Sequence, residues 1–159
     1  MEPEIEEKIY KLIELGNTRK LRKFVGPYLA DEHPLALYAV ASTSFRHESE
    51  EQFAVRYIQQ MTKASEGGIA RASYQMGVNH LYGDEVQQDY KLASVYFERA
   101  IEQGHSYTKF TYGFSLYYGT DENKKDMVRG LSLMQEAASE GEEKAVRELQ
   151  EISDASDMV

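Results

Sequence analysis

Apolar side chains recur along this chain three and four positions apart, which is the spacing of one face of an α-helix. In the segment that begins near residue 70, the residues on that face are Ala70, Tyr74, Gly77 and Leu81. The same spacing returns 36 residues later at Ser106, Phe110, Gly113 and Tyr117. The pattern predicts two equivalent helices, and we call each of them helix A of a repeated unit.

A second amphipathic segment, helix B, follows each helix A. It begins after Asp89 or Asp126, because a carboxylate at that position accepts hydrogen bonds from the free amides of the first helical turn. The apolar stripe of the first helix B consists of Ala93, Tyr96, Phe97 and Ala100. The stripe of the second consists of Gly130, Leu133, Met134 and Ala137. Small residues therefore flank large ones in both copies.

Glycines mark the repeat most clearly. Gly67, Gly104 and Gly141 lie 37 residues apart, each just after an apolar stripe, where glycine supplies the left-handed residue that ends a helix. Gly77 and Gly113 lie inside helix A, at a cost of about 1 kcal/mol each in helix propensity. We therefore predict that a neighbouring helix approaches closely at these two positions.

Upstream the pattern is weaker. Pro34 opens a helix predicted to reach about Phe45, and the Ser49-Glu50-Glu51-Gln52 sequence is typical of a capping box. The stripe of the following helix consists of Ala54, Tyr57, Ile58 and Met61. Its offset of 39 residues from the next stripe indicates a drifted copy of the repeat.

The ends are predicted to be caps. The first helix has the apolar face Ile5, Ile9, Leu12 and Ile13 and stops at Gly16, and a second starts near Thr18 and is interrupted at Gly26-Pro27. The last helix has Ala145, Leu149 and Ile152 on one face. The fold class is thus all-α, a single solenoid of about nine antiparallel helices. Its parts are a capping pair at 1–33, a degenerate repeat at 34–68, repeats at 69–104 and 105–141, a capping helix at 142–153 and a disordered tail at 154–159.

The composition of the chain limits the classes of partner and site that we expect. The net charge of −9 disfavours nucleic acid as a partner, and the absence of cysteine excludes disulfides and thiolate sites. No apolar run is long enough for a membrane span, and the acidic N-terminus does not resemble a leader, so we expect a cytoplasmic protein.

These residues resemble the Sel-one-like repeat family, which is related to tetratricopeptide repeats. The family pattern is Leu-Gly-x-x-Tyr-x-x-Gly in helix A, a Val-x-x-Asp turn, and Lys-Ala-x-x-Trp-x-x-Lys-Ala-Ala-x-x-Gly in helix B. The first copy supplies Met76, Gly77, Gly83, Val86, Asp89, Ala93, Tyr96, Arg99, Ala100 and Gly104. The second supplies Gly113, Gly119, Asp126, Arg129, Gly130, Ala137, Ala138 and Gly141.

The resemblance is strong from Ile69 to Gly141 and weaker back to Pro34. The chain departs from the pattern at the family's helix-A Tyr, where it has His80 and Leu116, and at its helix-B Trp, where it has Tyr96 and Leu133. The resemblance implies a right-handed superhelix that serves as a protein-binding adaptor. Similar small bacterial proteins sometimes neutralise a cognate toxin.

Candidate chemistry is sparse. The four histidines, His33, His47, His80 and His105, form no His-x-x-x-His pair, and no catalytic or phosphate-binding motif is present, so we expect neither metal, cofactor nor catalysis. Aromatic residues of the A helices are candidates for binding a protein or peptide. They are Tyr38, Tyr74, Phe110, Tyr112 and Tyr118, of which Tyr112 and Tyr118 are expected to be the most exposed.

The alternatives to an adaptor are an immunity or inhibitor protein, an enzyme with an unrecognised site, and a passive spacer. The chain is expected to be a monomer or a weak homo-oligomer. Four cations at Arg19, Lys20, Arg22 and Lys23 form a basic cluster in an acidic chain. They are interpreted as a solvated face, or as a surface that pairs head to tail with the acidic C-terminal region of a second copy.

Overall fold

A computed structural model describes residues 2–121 and 124–157, and within these residues the chain forms nine α-helices and no strand. The helices are α1 (Pro3–Glu14), α2 (Thr18–Ala30), α3 (Pro34–Ala41), α4 (Glu50–Glu66), α5 (Ala70–Tyr82), α6 (Tyr90–Glu102), α7 (Ser106–Tyr118), α8 (Met127–Ser139) and α9 (Glu143–Asp157). Packing is most extensive within the pairs α3–α4, α5–α6 and α7–α8. The predicted all-α solenoid of helix pairs is confirmed. In the part of the chain that is described, no helix combines the length and apolar character that crossing a membrane requires.

The glycines inside the helices mark close helix crossings, as predicted. A Cβ atom added at Gly113 would lie 2.9 Å from the carbonyl oxygen of Gly130, and one added at Gly130 would lie 2.6 Å from the carbonyl oxygen of Gly113. At Gly77 it would lie 2.5 Å from the Phe97 ring. Helices α7 and α8 therefore meet backbone to backbone, whereas α5 meets an aromatic side chain of α6.

The predicted helix starts are confirmed. The Asp89 carboxylate accepts hydrogen bonds from the amides of Lys91 and Leu92, both at 3.0 Å. Asp126 caps α8 in the same way, and Ser49 and Gln52 form the reciprocal capping box of α4. These short side chains fix where each helix B begins, because they satisfy amides that the helix leaves unpaired.

The helix ends required one correction. Gly104 (φ +84°) and Gly141 (φ +93°) are left-handed as predicted, but Gly67 has φ −80°, and Gly68 is the left-handed residue at φ +92°. Gly67 is needed for a different reason, since a Cβ atom there would lie 2.2 Å from Cγ of Pro34. The first interval between helix ends is therefore 36 residues and not 37.

The same shift corrects the stripe of α4. The buried residues of this helix are Tyr57, Met61, Ala64 and Ser65. Tyr57, Met61 and Ala64 precede Ala93, Phe97 and Ala100 of α6 by 36 residues. The predicted offset of 39 residues is wrong, because it aligned Tyr57 with Tyr96 when Tyr57 occupies the place of a small residue.

Three other helix bounds differ from prediction. Helix α2 continues through Pro27, because Tyr28 and Leu29 beyond it still pack against the core. Helix α3 stops at Ala41, and the Thr43 hydroxyl donates to the Val40 carbonyl at 2.9 Å. Helix α9 extends to Asp157, past the predicted end at 153, and residues 158–159 of the predicted tail lie outside the described residues.

The loop after α3 is held by two arginines. The Phe45 ring lies between the guanidinium groups of Arg22 and Arg56, at 4.4 and 4.3 Å. Arg56 also donates to both carboxylate oxygens of Glu48, at 2.7 and 2.9 Å. This bidentate hydrogen bonding with Arg56 is the main reason that the pKa of Glu48 falls to about 2.

The polar contact between helix A and the end of helix B differs from one repeat to the next. In the α5–α6 pair, the Ser73 hydroxyl donates to Gln103 at 2.6 Å, and the Gln103 amide donates to the Ser65 carbonyl at 2.8 Å. In the α7–α8 pair, the corresponding residues are Lys109 and Glu140, which form a salt bridge. Lys109 is 9% exposed, and its pKa is raised chiefly by its hydrogen bond to Glu140.

Candidate functional site

A cleft of about 250 Å³ lies between the two A helices α5 and α7. Its lining residues are Tyr74, Val78, Leu81, Tyr82, Phe97, Tyr107, Thr111, Tyr112, Ser115 and Asp121. Four of the ten are tyrosines, and we refer to this site as the tyrosine cleft. Along α5 the lining runs from Tyr74 to Tyr82, a rise of about 12 Å. That length matches one long side chain or three to four residues of extended chain.

One wall of the cleft is a continuous set of aromatic rings. The Tyr74 ring centroid lies 5.6 Å from that of Tyr107 and 6.1 Å from that of Phe97. Phe97 is in turn 5.6 Å from Tyr112. Rings at these separations and tilted angles attract one another through their quadrupoles. The helix pairs position this wall, because Phe97 of α6 fills the space over Gly77 and reaches both A helices.

The phenol groups of Tyr74 and Tyr112 are neutral at physiological pH because the pKa of each is raised. Burial is the largest cause that raises the pKa of Tyr74 and the pKa of Tyr112. His105, whose ring lies 5.3 Å from that of Tyr74, has a lowered pKa, first because it is buried and second because Arg71 is near. The wall therefore presents aromatic faces and uncharged hydroxyl groups.

Of the five predicted binding residues, two line the cleft. Tyr74 is half-buried at its centre. Tyr112 lines it too, but the expectation that Tyr112 would be one of the most exposed is wrong, since it is 8% exposed. Phe97 of the preceding helix pair packs against Tyr112 and covers it.

The other three predicted residues lie elsewhere. Phe110 and Tyr118 belong to a row of rings along α7, linked through Phe114 at 6.2 and 4.6 Å. Tyr118 is 44% exposed as expected, and its hydroxyl donates to Glu148 of α9 at 2.6 Å. Tyr38 packs between two core clusters and lines a separate cleft of about 200 Å³ beside α1.

Sequence reasoning missed Tyr82 and Tyr107. Tyr82 is 62% exposed at the last position of α5, and Tyr107 is half-buried at the start of α7. Neither belongs to the apolar stripe, so periodicity did not select them. Their positions in the sequence could have identified them. Tyr82 follows the stripe residue Leu81, and Tyr107 follows the stripe residue Ser106, so both lie at the edge of the helix face.

The described residues contain no group of three His, Asp or Glu side chains placed to hold a metal ion. His105 contacts the Thr108 hydroxyl at 2.6 Å through Nδ1, and His33 accepts from the Leu35 amide at the start of α3. His80 stacks on Tyr96 at 5.5 Å and leaves a buried Nδ1 without a hydrogen-bond partner. These contacts are local, and they assemble no candidate catalytic pair.

The four cations of the predicted basic cluster on α2 differ in their exposure to solvent. Arg22 is half-buried and donates to the Thr43 hydroxyl at 3.0 Å, while Arg19, Lys20 and Lys23 are exposed. Pairing of this cluster with a second copy stays a prediction.

Comparison with known proteins shows a repeat family and two solved structures to which this chain is similar. The Sel1 repeat model matches residues 70–105 and 111–142. The crystal structure of a Sel1 repeat protein from Oxalobacter formigenes is similar, with 26% identity and a TM-score of 0.70, over 82% of this chain and 99% of that one. No curated protein matches the sequence.

A second similar structure is that of a protective antigen of uropathogenic Escherichia coli strains, which displays an SLR fold. It is 21% identical with a TM-score of 0.71, and the alignment covers 95% of this chain but 34% of that one. This likeness concerns the fold alone. Sel1 repeat proteins are generally scaffolds for protein interaction. The chain therefore carries two segments that match the Sel1 repeat, and these segments cover all of α5, α6 and α8 and most of α7.

Proposed function

We propose that this chain is a non-catalytic adaptor that holds a short extended segment of another protein in the tyrosine cleft. The observation that carries the proposal is the cleft itself, an open groove between two A helices with a continuous aromatic wall. Aromatic side chains provide large contact area with few rotatable bonds, and for that reason they dominate the energetics of many protein interfaces.

The arrangement suits binding better than chemistry. Apart from the tyrosines, the titratable side chain among the described lining residues is that of Asp121, and no general acid and base converge there. The backbone of the cleft is also well supported, since α5 and α7 are each packed against their own helix B. A rigid groove of this kind loses little conformational entropy when a segment binds.

The test uses a matched pair of tyrosine variants. Tyr82 lines the cleft and is 62% exposed, while Tyr90 lies outside it at the start of α6 and is 41% exposed. Both can be changed to alanine with little loss of core packing. We expect Tyr82→Ala to reduce binding of the native partner at least about tenfold, because a truncated aromatic anchor costs about 1.4 kcal/mol or more. Tyr90→Ala should leave binding unchanged.

The measurement is quantitative affinity capture from the native cell with wild type and both variants, followed by titration of the captured protein. A partner lost with Tyr82→Ala and kept with Tyr90→Ala supports the proposal. Partners that bind both variants as well as wild type would show that the tyrosine cleft is not the binding surface. If the captured partner is an enzyme or toxin that the chain inhibits, the chain is an inhibitor that uses the same cleft.

A further inference from the structure

The two ends of the tyrosine cleft differ in charge. At the end formed by Tyr74 and the start of α7, the Lys144 amine lies 5.0 Å from the Tyr107 ring centroid. Arg71 is close enough to lower the pKa of the adjacent His105. Two cations of the chain itself, Lys144 and Arg71, therefore lie near this end together with the carboxylate of Glu142, and we call it the basic end.

The opposite end carries negative charge. It is lined by Tyr82, Ser115 and Asp121, at the C-terminal ends of α5 and α7. The last carbonyl groups of an α-helix give its C-terminus a partial negative charge, and residues from the last turns of α5 and α7 line this end together with Asp121. Among the described residues that line the cleft, none is Lys, Arg or His. Lys124 and Lys125 belong to the same loop, but neither lines the cleft, and the start of the Lys125 side chain packs against Gly119.

Aromatic rings next to negative charge are the usual surroundings of a bound cation, because the ring face is the negative part of its quadrupole. This chain pairs several of its other rings with its own cations. The Lys8 amine lies 4.2 Å from the Phe24 ring, and Arg71 lies 4.9 Å from the Tyr10 ring. In the described structure, the rings of Tyr74, Tyr82 and Tyr112 have no such contact. At the negatively charged end, which we call the acidic end, the ring of Tyr82 and the carboxylate of Asp121 line the cleft, and no cation–π contact within the described structure occupies the Tyr82 ring.

We propose that the acidic end of the tyrosine cleft binds a cationic side chain, arginine or lysine, of the partner segment. This inference rests on the proposed function and names the chemistry of the ligand. The charged head lies between Asp121 and the ring of Tyr82, and the aliphatic stem runs along the wall towards Phe97. The net charge of −9 steers a basic segment to the chain, and Lys144 at the other end disfavours a second cation there. The difference between the ends sets the direction in which the segment lies.

The test uses two blocked pentapeptides that differ only in charge. One is acetyl-Ala-Ala-Arg-Ala-Ala-amide, and in the other the arginine is replaced by citrulline, its neutral isostere. Binding is followed by NMR of the full chain with labelled tyrosine rings, with signals assigned through Tyr82→Phe and Tyr107→Phe. We expect the arginine peptide to bind about tenfold more tightly than the citrulline peptide, which is the range of a partly desolvated cation–π contact.

Two variants of the chain test which end of the cleft causes the preference for the arginine peptide. Asp121→Asn should remove most of the tenfold preference while leaving the melting temperature unchanged, since Asp121 is exposed. Lys144→Gln, at the basic end, serves as the control and should change the affinity of the arginine peptide by less than about twofold, because Lys144 contacts Tyr107 at the opposite end of the cleft and its charge is screened by salt. A lysine peptide that binds as the arginine peptide does supports the proposal as well.

Two results would overturn the inference. If the citrulline peptide shifts the cleft tyrosines as strongly as the arginine peptide, the cleft recognises an uncharged segment. If neither peptide shifts them, the cation is not a ligand of this end. In either case the proposed function stands or falls separately, because it depends on whether Tyr82→Ala releases the native partner.

Discussion

The backbone contact between α7 and α8 gives the sharpest test of the fold. In Gly130→Ala, the new Cβ atom would lie 2.6 Å from both the Gly113 carbonyl oxygen and the Tyr117 amide nitrogen. These distances are about 0.8 Å shorter than the 3.4 Å at which ordinary contacts begin. Both atoms belong to the main chain and cannot rotate away, so the helices must separate.

The magnitude follows from two opposing effects. Overpacking of this kind costs up to about 3 kcal/mol, and alanine gains about 1 kcal/mol over glycine in helix propensity. We expect a net loss of about 2 kcal/mol in the free energy of unfolding, which lowers the melting temperature of a chain of this length by about 4–8 °C. Calorimetry and urea denaturation of the purified variant measure both quantities.

Two controls separate packing from propensity. Ser132→Ala changes an exposed position of the same helix and should alter stability by less than about 0.5 kcal/mol. Ala93→Gly, at the corresponding position of α6, should lose about 1 kcal/mol, because that crossing already accommodates a Cβ atom. If Gly130→Ala is as stable as wild type or more so, α7 and α8 do not approach as closely as described, and the reasoning is refuted.

Three further changes test single contacts. Gly104→Val should lower the free energy of unfolding by at least about 1 kcal/mol, because residue 104 has φ +84°. Gly104→Asn should lower it less, since asparagine tolerates that conformation. Equal melting temperatures for the wild type and both variants would contradict the proposed helix cap. Pairing with Arg56 lowers the pKa of Glu48 from 4.5 to about 2, so its stabilising contribution is complete above pH 4.5 and is lost as the pH falls through about 2. Glu48→Gln should therefore be less stable than wild type at neutral pH, with a difference that shrinks on acidification, and parallel pH profiles from urea denaturation would argue against it. Lys109→Met should cost roughly 1 kcal/mol at neutral pH, a modest value because the Glu140 side chain is 37% exposed. The difference in free energy of unfolding between this variant and wild type should decrease at about pH 3 and at high salt. A difference that is unchanged under both conditions would mean that lost packing, and not lost charge, is responsible.

Local signals in the sequence predicted most of the helices. Asp89, Asp126 and Ser49 identify helix starts because a cap depends on a few neighbouring residues. The end of α4 was misplaced because Gly67 and Gly68 are both compatible with a cap, and the choice depends on Pro34, some thirty residues earlier in the chain. Contacts that are distant in sequence leave no periodic trace.

The site was predicted less completely than the fold. Periodicity selected Tyr74 correctly as part of the A-helix face. It could not show that Tyr112 is buried, because the cover comes from Phe97 of the neighbouring pair. Exposure at Tyr82 depends on where α5 ends relative to α7, which is a property of the assembled solenoid. Residues at the edge of a helix face are therefore the ones that a single sequence places least reliably.

Repeats with similar sequences can pair with the wrong neighbour while the chain folds, or exchange helices between two molecules. The polar contacts of the two helix pairs are not interchangeable. If α5 packed on α8, Ser73 would meet Glu140 in place of a cation, and if α7 packed on α6, Lys109 would be covered without a carboxylate. The second mispairing would bury Lys109 without a carboxylate partner, which costs more than the correct contact contributes. The first would leave the partly exposed Glu140 carboxylate without its cation. The difference between the Ser73–Gln103 and Lys109–Glu140 contacts thus favours pairing of each helix A with the helix B that follows it in the chain.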